Sequence, residues 1–435
     1  MIHQYLKRLN IDELKPMQVE AINTIKPGSQ TILISPTGSG KTLAFLLPAV
    51  SFINADIKGV QVLILVPTRE LGLQIEKVFR NMQTGIKVST FYGGHPFQTE
   101  RNSLIDPPSI LIGTPGRIAD HIRRETFETR TIKTVVLDEF DKSLELGFAD
   151  EMRTILKSCS FIKTRILTSA TKIAEIPDFV NLVNPVEINF SDKAEETNLD
   201  IKYVKTGDND KLELLIQLLK FLGADSSIIF CNHRDAVDRI SDLLKHDNVT
   251  HGIYHGGLEQ EQREISLIKF RNGTHHILLT TDLASRGLDI TEVKNIIHYQ
   301  LPTTAVSWLH RNGRTARMGK AGKIWVLLKA GDTLPPFISE ATEEFSIPET
   351  EHFADNPAFD TIYIGAGKKD KISKGDIAGF LMKQGMLAKE QIGQIDVLDY
   401  ASFVAVKKEE LKTLFSRIKG IKLKNKMIKI EKAKG

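Results

Sequence analysis

Cysteine is almost missing from this chain of 435 residues, which holds only Cys159 and Cys231. Both stand in apolar, strand-adjacent surroundings and read as reduced core residues rather than a disulfide, which fits a reducing cytoplasm. His275-His276 and Cys231-Asn232-His233 offer no four-ligand spacing, which argues against a zinc site. No apolar run reaches the roughly 18–20 residues of a membrane span, so no membrane partner is expected. The opening Met1-Ile2-His3-Gln4-Tyr5 lacks the apolar core of a signal peptide. What is present, 41% hydrophobic and 26% charged residues, is the composition of a globular protein with ample core. The length suggests about two to four domains.

A large net charge is missing too, the formal balance being +4. That figure conceals an asymmetry. Residues 361–435 carry 17 Lys+Arg against 8 Asp+Glu, a surplus of +9, which leaves the rest of the chain at −5. A small basic module on a mildly acidic body fits a tail that docks on nucleic acid.

Buried-type strands alternate with helical patterns through most of the chain. Gln61–Val66, Ser109–Ile112, Thr134–Leu137 and Arg165–Thr168 are continuous apolar runs separated by helix-length segments, the pattern of a parallel sheet covered on both faces. A polar stretch from Ser191 to Asn198 reads as a linker, after which the alternation resumes with Ile201–Val204, Ser227–Phe230, Ile277–Thr281 and Ile296–Tyr299. Two consecutive α/β domains are expected, over residues 1–192 and 199–346. Past an acidic, proline-marked break, residues 360–435 predict strand, helix, strand, strand, helix, strand, with the last strand at Met427–Ile430. The second helix carries Leu411, Leu414, Phe415 and Ile418 on one face. This order is the ferredoxin-like plan of RNA-recognition modules.

The chemistry gathers in short segments. The strand-like Thr31–Ile34 runs into Ser35-Pro36-Thr37-Gly38-Ser39-Gly40-Lys41-Thr42 and then into an apolar helix. A strand, a glycine-rich turn and a helix start aim several N–H groups at one point, which suits a polyphosphate. Lys41 would reach the β- and γ-phosphates, and the Thr42 hydroxyl would ligate Mg²⁺. Asp138-Glu139-Phe140-Asp141 follows another strand, so that Asp138 can hold Mg²⁺ and Glu139 can orient a water facing the γ-phosphate. His310-Arg311-Asn312-Gly313-Arg314-Thr315-Ala316-Arg317 lies in the second α/β domain. Arg314 and Arg317, three apart, share one face if that segment is helical, and they would neutralise charge on the transferring oxygens. ATP would then close the cleft between the two domains.

Taken together these segments resemble a DEAD-box RNA helicase, over nearly the whole length. Lys15-Pro16-Met17-Gln18 is similar to the family's adenine-reading Q motif. After the phosphate loop come Pro67-Thr68-Arg69-Glu70-Leu71, Gly93-Gly94 and Thr114-Pro115-Gly116-Arg117. The acidic box is followed by Ser169-Ala170-Thr171, Phe230-Cys231-Asn232-His233, Gln260-Glu261-Gln262-Arg263, Thr281–Asp289 and the arginine cluster. The resemblance implies two tandem RecA-like parallel-sheet domains followed by a small α+β RRM-like domain. It also implies an ATPase that opens short RNA duplexes. By the same resemblance Gln18 reads adenine, residues 37–42 hold the phosphates, and Asp289 contacts the ribose. Arg69, Gly94, Thr114, Gly116 and Arg117 hold the RNA backbone from the first domain, and Gln260, Arg263 and Thr281 from the second. Arg314 and Arg317 become arginine fingers. Ser169 and Thr171, linked to Asp141 and His310, couple hydrolysis to strand separation.

The sequence departs from the family pattern in three ways. Phe140 stands where the family has alanine, and its ring is expected to alter contacts with Ser169-Ala170-Thr171. Ile11 and Lys15 replace an aromatic and a threonine expected in an abbreviated Q motif. Ser35 replaces a small apolar residue. The first two departures leave open an ATP-gated RNA clamp that unwinds little. The tail resembles the RNA-binding domain of DbpA-type helicases, which implies a structured element of large-subunit ribosomal RNA as partner, within pre-ribosomal particles, for a monomeric enzyme. Tyr363 and Phe403 in the tail read equally as stacking platforms or core. Lys368, Lys369, Lys371 and Lys374 are the expected phosphate grips.

Overall fold

Apolar runs with no polar alternation bury both faces of a strand, and helices must cover each side. The structure, a computed structural model, describes residues 2–36, 38–94, 96–173, 175–191, 199–206, 210–285, 290, 293–315, 322–338, 342–349, 353 and 357–434. The first unit holds β1 (Gln30–Ile34), β2 (Val62–Leu65), β3 (Val88–Phe91), β4 (Ile110–Gly113), β5 (Thr134–Leu137), β6 (Thr164–Ser169) and β7 (Val186–Asn189). They pair in parallel in the order β3-β4-β2-β5-β6-β1-β7. Leu33, Ile64, Val136 and Ile166 pack with Phe45 and Phe79 on one face. Leu63, Val135 and Leu167 pack with Ile118 and Ile155 on the other. Each fully buried side chain of this size contributes about 1.5–3 kcal/mol.

The second unit repeats the plan with β8 (Leu199–Lys205), β9 (Ser227–Phe230), β10 (His251–Tyr254), β11 (Ile277–Thr280), β12 (Asn295–His298), β13 (Gly322–Leu328) and β14 (Glu343–Glu344). Their order is β10-β11-β9-β12-β13-β8-β14, again parallel. Two parallel-sheet, RecA-like lobes are therefore present. The strands that hydrophobic runs did not single out include the edges β3, β7 and β10, where a strand needs no two-sided apolar sequence. Cys159 and Cys231 are unpaired, and burial pushes both thiols up to about 12.

The second unit also contains the tail. Strands β15 (Phe359–Ile364), β16 (Ile392–Val397), β17 (Ser402–Lys407) and β18 (Ile430–Lys432) form an antiparallel sheet in the order β16-β17-β15-β18. Helices Lys374–Lys383 and Leu411–Ile418 cover one face, packing Ile377, Leu381, Leu414 and Ile418 on Ile362, Ile364, Val404 and Val406. The small RRM-like plan is present. Its last strand begins at Ile430 rather than Met427, because Leu423 and Lys426 pair in a turn and leave Met427 exposed. Among the described residues no helix is long and apolar enough to cross a membrane.

Candidate nucleotide and RNA sites

In a parallel sheet the loops after the strands share one edge, and ligands collect there. In the first unit that edge divides in two. The ends of β1, β6 and β5 carry Gly38–Thr42, Ser169–Thr171 and Asp138–Asp141, whereas β2, β3 and β4 end at Arg69, Gly94 and Thr114–Arg117. The nucleotide residues and the expected RNA residues thus occupy adjacent halves of one edge. One refinement concerns neighbours: β5 does not adjoin β1, since β6 runs between them and pairs Ser169 with Ile34.

The glycine-rich turn is built for close backbone approach. Gly38 and Gly40 take φ of +83° and +99°, a region that disfavours other residues. A Cβ on Gly40 would lie 2.5 Å from Gln18 Nε2, which donates to the Gly40 carbonyl at 3.2 Å. The Gln18 Oε1 accepts from the Lys15 backbone at 2.9 Å. One end of this amide is therefore fixed on the turn and the other on the start of its own helix. Lys41 opens the following helix, and its ammonium donates to the carbonyls of Ser35 (2.5 Å) and Pro36 (3.0 Å).

Asp138 is buried at the end of β5. Desolvation pushes its carboxyl pKa up, against the hydrogen bond from Thr168 and the charge of Lys41. A cation would relieve that burial, and the hard oxygens of Asp138 and Thr42 suit Mg²⁺. Glu139 adopts φ +46°, a left-handed conformation rare for this residue type, and its N–H donates to Thr168 Oγ1 at 3.2 Å. The next turn brings the coupling residues together: Thr171 Oγ1 donates to Asp141 Oδ2 at 3.3 Å, and Ser169 Oγ to the Thr171 carbonyl at 2.6 Å. Phe140 points away, fully buried among Ile118, Met152 and Ile155. The expected disturbance by its ring is not found, because the core on that side accommodates it.

On the other half, Thr68 caps the helix that begins at Arg69, whose guanidinium lies 4.3 Å over the Tyr92 ring. Thr114, Gly116 and Arg117 open the helix after β4. Sequence reasoning missed what holds Arg117. Its Nε donates to Glu100 Oε2 at 2.5 Å, and buried His121 reaches the same oxygen at 2.8 Å while stacking on Phe97. No motif points to Glu100, which stands on a different helix.

In the second unit Gln260 and Arg263 lie in the first turn of the helix Gln260–Arg271, and Thr281 follows β11. A cavity of about 410 Å³ sits at the ends of β9, β10 and β11, lined by Asn232, His233, Arg234, Gly256, Gly257 and Thr281. Behind it Arg311 is wholly buried. It donates to Asp282, to the Gln300 carbonyl at 2.8 Å and to Asn232 Oδ1 at 2.8 Å. Sequence reasoning places Arg311 in the arginine cluster and finds no role for it. The helix Ala305–Asn312 contains buried His310 and ends before Arg314. Arg314 therefore lies beyond that helix. Thr37, Asp289 and Arg317 lie outside the described residues.

The tail resolves the ambiguity of its aromatics. Tyr363 and Phe403 face away from the tail's own helices, and Ile265 and Ile268 of the helix Gln260–Arg271 cover them, leaving Phe403 2% exposed. Thr274 and Thr361 hydroxyls meet at 2.7 Å, and Arg271 pairs with Asp396 at 3.7 Å. The sheet face where RNA-recognition modules stack bases is a dock for the second lobe. Lys368, Lys369, Lys371 and Lys374 are exposed.

Comparison with known proteins agrees with this layout. Residues 15–179 match the DEAD/DEAH box helicase model, 210–319 the helicase conserved C-terminal domain, and 361–432 the DbpA RNA binding domain. The chain is 30% identical to the ATP-dependent RNA helicase DbpA of Escherichia coli over 437 residues, spanning 98% of this chain and 95% of that one. It is 29% identical to the DbpA of Bacillus subtilis, spanning 98% and 96%. Among solved structures it resembles Mss116p bound to ssRNA and AMP-PNP, with a TM-score of 0.69 and 29% identity over 80% of this chain and 77% of that one. It also resembles Saccharomyces cerevisiae Dbp5 bound to RNA and ADP BeF3, at 0.65 and 27%, over 75% and 86%.

Proposed function

We propose specific roles for the residues of this chain, which belongs to the DEAD-box family of ATP-dependent RNA helicases and is an RNA-dependent ATPase. Its working bodies are residues 1–192, 199–346 and 360–435. Residues 37–42 hold the triphosphate, Gln18 the adenine and Asp289 the ribose. Glu139 holds the attacking water, and Arg314 with Arg317 neutralise the equatorial oxygens of the γ-phosphate. Thr42 and Asp138 would hold Mg²⁺, which would neutralise negative charge on the phosphates. Arg69, Gly94, Thr114, Gly116, Arg117, Gln260, Arg263 and Thr281 grip phosphates and sugars. Asp141, Ser169, Thr171 and His310 link the two events.

The observation that carries this reading is the divided sheet edge. Nucleotide-type groups end β1, β5 and β6, RNA-type groups end β2, β3 and β4, and the Thr171–Asp141 bond lies within the nucleotide half beside that boundary. A change at the γ-phosphate can therefore reach the RNA grips through adjacent strands. Because Phe140 leaves that bond in place, the ATP-gated clamp reading loses one of its two motives. We further read the target as large-subunit ribosomal RNA in pre-ribosomal particles, engaged by a cytoplasmic monomer through Lys368, Lys369, Lys371 and Lys374. The DbpA-type tail supports this target.

The test is ATPase stimulation by a large-subunit ribosomal RNA transcript against an unrelated transcript of equal length. The ribosomal RNA should act at lower concentration, and replacing the four lysines by alanine should abolish that advantage while leaving turnover at saturating RNA. Equal stimulation by both transcripts contradicts the proposed target.

A further inference from the structure

With Phe403 sealed against the second lobe, the tail must present another surface if it is to bind bases. One place combines an aromatic ring, positive charge and a rigid mount. Tyr400 is 73% exposed, the most exposed aromatic side chain among the described residues. It stands at the tip of the turn between β16 and β17, closed by the Leu398 N–H donating to the Ala401 carbonyl at 2.8 Å. At 73% exposure the ring buries little of its surface against this fold and is open to a ligand.

The turn is tied to the lysine loop by backbone. The Lys368 N–H donates to the Leu398 carbonyl at 2.8 Å and the Lys369 N–H to the Asp399 carbonyl at 2.9 Å. Ser402 Oγ donates to the Ala366 carbonyl at 2.7 Å from the other side. The approach is so close that a Cβ on Gly367 would lie 2.2 Å from the Leu398 oxygen. Glycine is required there, and the two loops form one unit.

Charge on this unit is biased to positive. Asp370 pairs with Lys426 at 3.1 Å and Asp376 with Lys424 at 2.7 Å, and these lysines hold both carboxyls below the usual carboxylate range. The unit's acids Asp370 and Asp376 are thus neutralised from a second basic segment, and Lys368, Lys369 and Lys371 are exposed on the loop whose backbone bonds the Tyr400 turn. Asp399, also exposed, is the one acid at the turn tip itself. An aromatic ring flanked by lysines is the pairing that holds an unpaired nucleotide, the base on the ring and the phosphates on the ammonium groups.

We propose that the tail binds unpaired RNA on this loop edge, with a base stacked on Tyr400 and its neighbouring phosphates held by Lys368, Lys369 and Lys371, while its sheet face stays docked on the second lobe. This rests on the reading that the tail binds RNA.

The test uses the full chain without nucleotide, titrated by anisotropy into a fluorescent uridine 12-mer and a large-subunit ribosomal RNA transcript. Tyr400→Ala should weaken binding to at least one probe by roughly 5- to 150-fold, the range for losing one stacked base, and Tyr400→Phe should restore it. Lys368→Ala with Lys369→Ala should lower the salt slope by about 1 to 2. Gly367→Ala should reproduce the tyrosine loss by parting the loops. Wild-type binding of both probes by Tyr400→Ala overturns the proposal. So does a 4-thiouridine crosslink to Tyr363 with none to Tyr400. Equal affinity of the wild-type chain for the two probes would instead count against the ribosomal target, whatever Tyr400 does.

Discussion

The hydroxyl groups of Thr274 and Thr361 meet at 2.7 Å, joining the second helicase lobe to the tail sheet. The contact lies just past the helix Gln260–Arg271, which begins with Gln260 and Arg263, the pair proposed to grip RNA, and whose Ile265 and Ile268 cover Tyr363 and Phe403. One helix therefore carries both the proposed RNA grip and the mount of the tail. Whatever holds the tail on its target also places that grip.

Ile268→Asp should break the mount. The isoleucine contributes about 1.5–3 kcal/mol, and a carboxylate facing Phe403 adds a desolvation cost. Calorimetry should show the tail melting apart from the second lobe, where the unaltered chain shows a joint transition. An unchanged thermogram would mean that the contact holds nothing.

Phe140→Ala recreates the alanine of the wider family, yet it should harm this chain. The ring is fully buried, so its removal costs about 3–5 kcal/mol of stability in the first lobe. Hydrolysis per folded molecule should stay within a few-fold, because the Thr171–Asp141 bond does not depend on the ring. Chemical denaturation followed by ATPase assay checks both halves. A gain in strand displacement without loss of stability would restore the view that Phe140 weakens coupling.

Glu100→Gln should act through Arg117. The charge-assisted bond at 2.5 Å aims the guanidinium, and losing its charge is expected to raise the RNA concentration for half-maximal ATPase by about 10-fold. The maximal rate should change little. A fall in the maximal rate alone would place Glu100 in a different role.

Two buried histidines set an acid limit. Burial lowers the His298 and His275 pKa values to about 3, so both are neutral in the native second unit over most of the accessible range. Unfolded, they bind protons below about 6.5. Between those values the unfolded state holds more protons, so stability should be full above pH 6.5 and fall steadily toward pH 3. Melting temperature followed from pH 7.5 to 4.5 should drop less for His275→Gln with His298→Gln than for the unaltered chain.

Much of the fold and of the core site was legible because it is local. The run Thr31–Ile34 ahead of a glycine-rich turn, and Val135–Leu137 ahead of Asp138, state strand and loop within a dozen residues. Arg311 was not legible as a hub, since its partner Asn232 lies 79 residues away and only the order of β9 and β12 unites them. Glu100 carries no motif and gains meaning only beside Arg117. The place of Arg314 was not legible from spacing, because the helix stops at Asn312 with Gly313 as its cap. The roles of Tyr363 and Phe403 depended on a neighbour that strand parity alone cannot supply.

The central proposal is that Arg314 neutralises charge on the transferring γ-phosphate. Single-turnover hydrolysis by Arg314→Ala, at saturating RNA and ATP, measures it most directly. The rate should fall roughly 10³-fold or more while ATP binding persists. A rate near that of the unaltered enzyme would contradict the account.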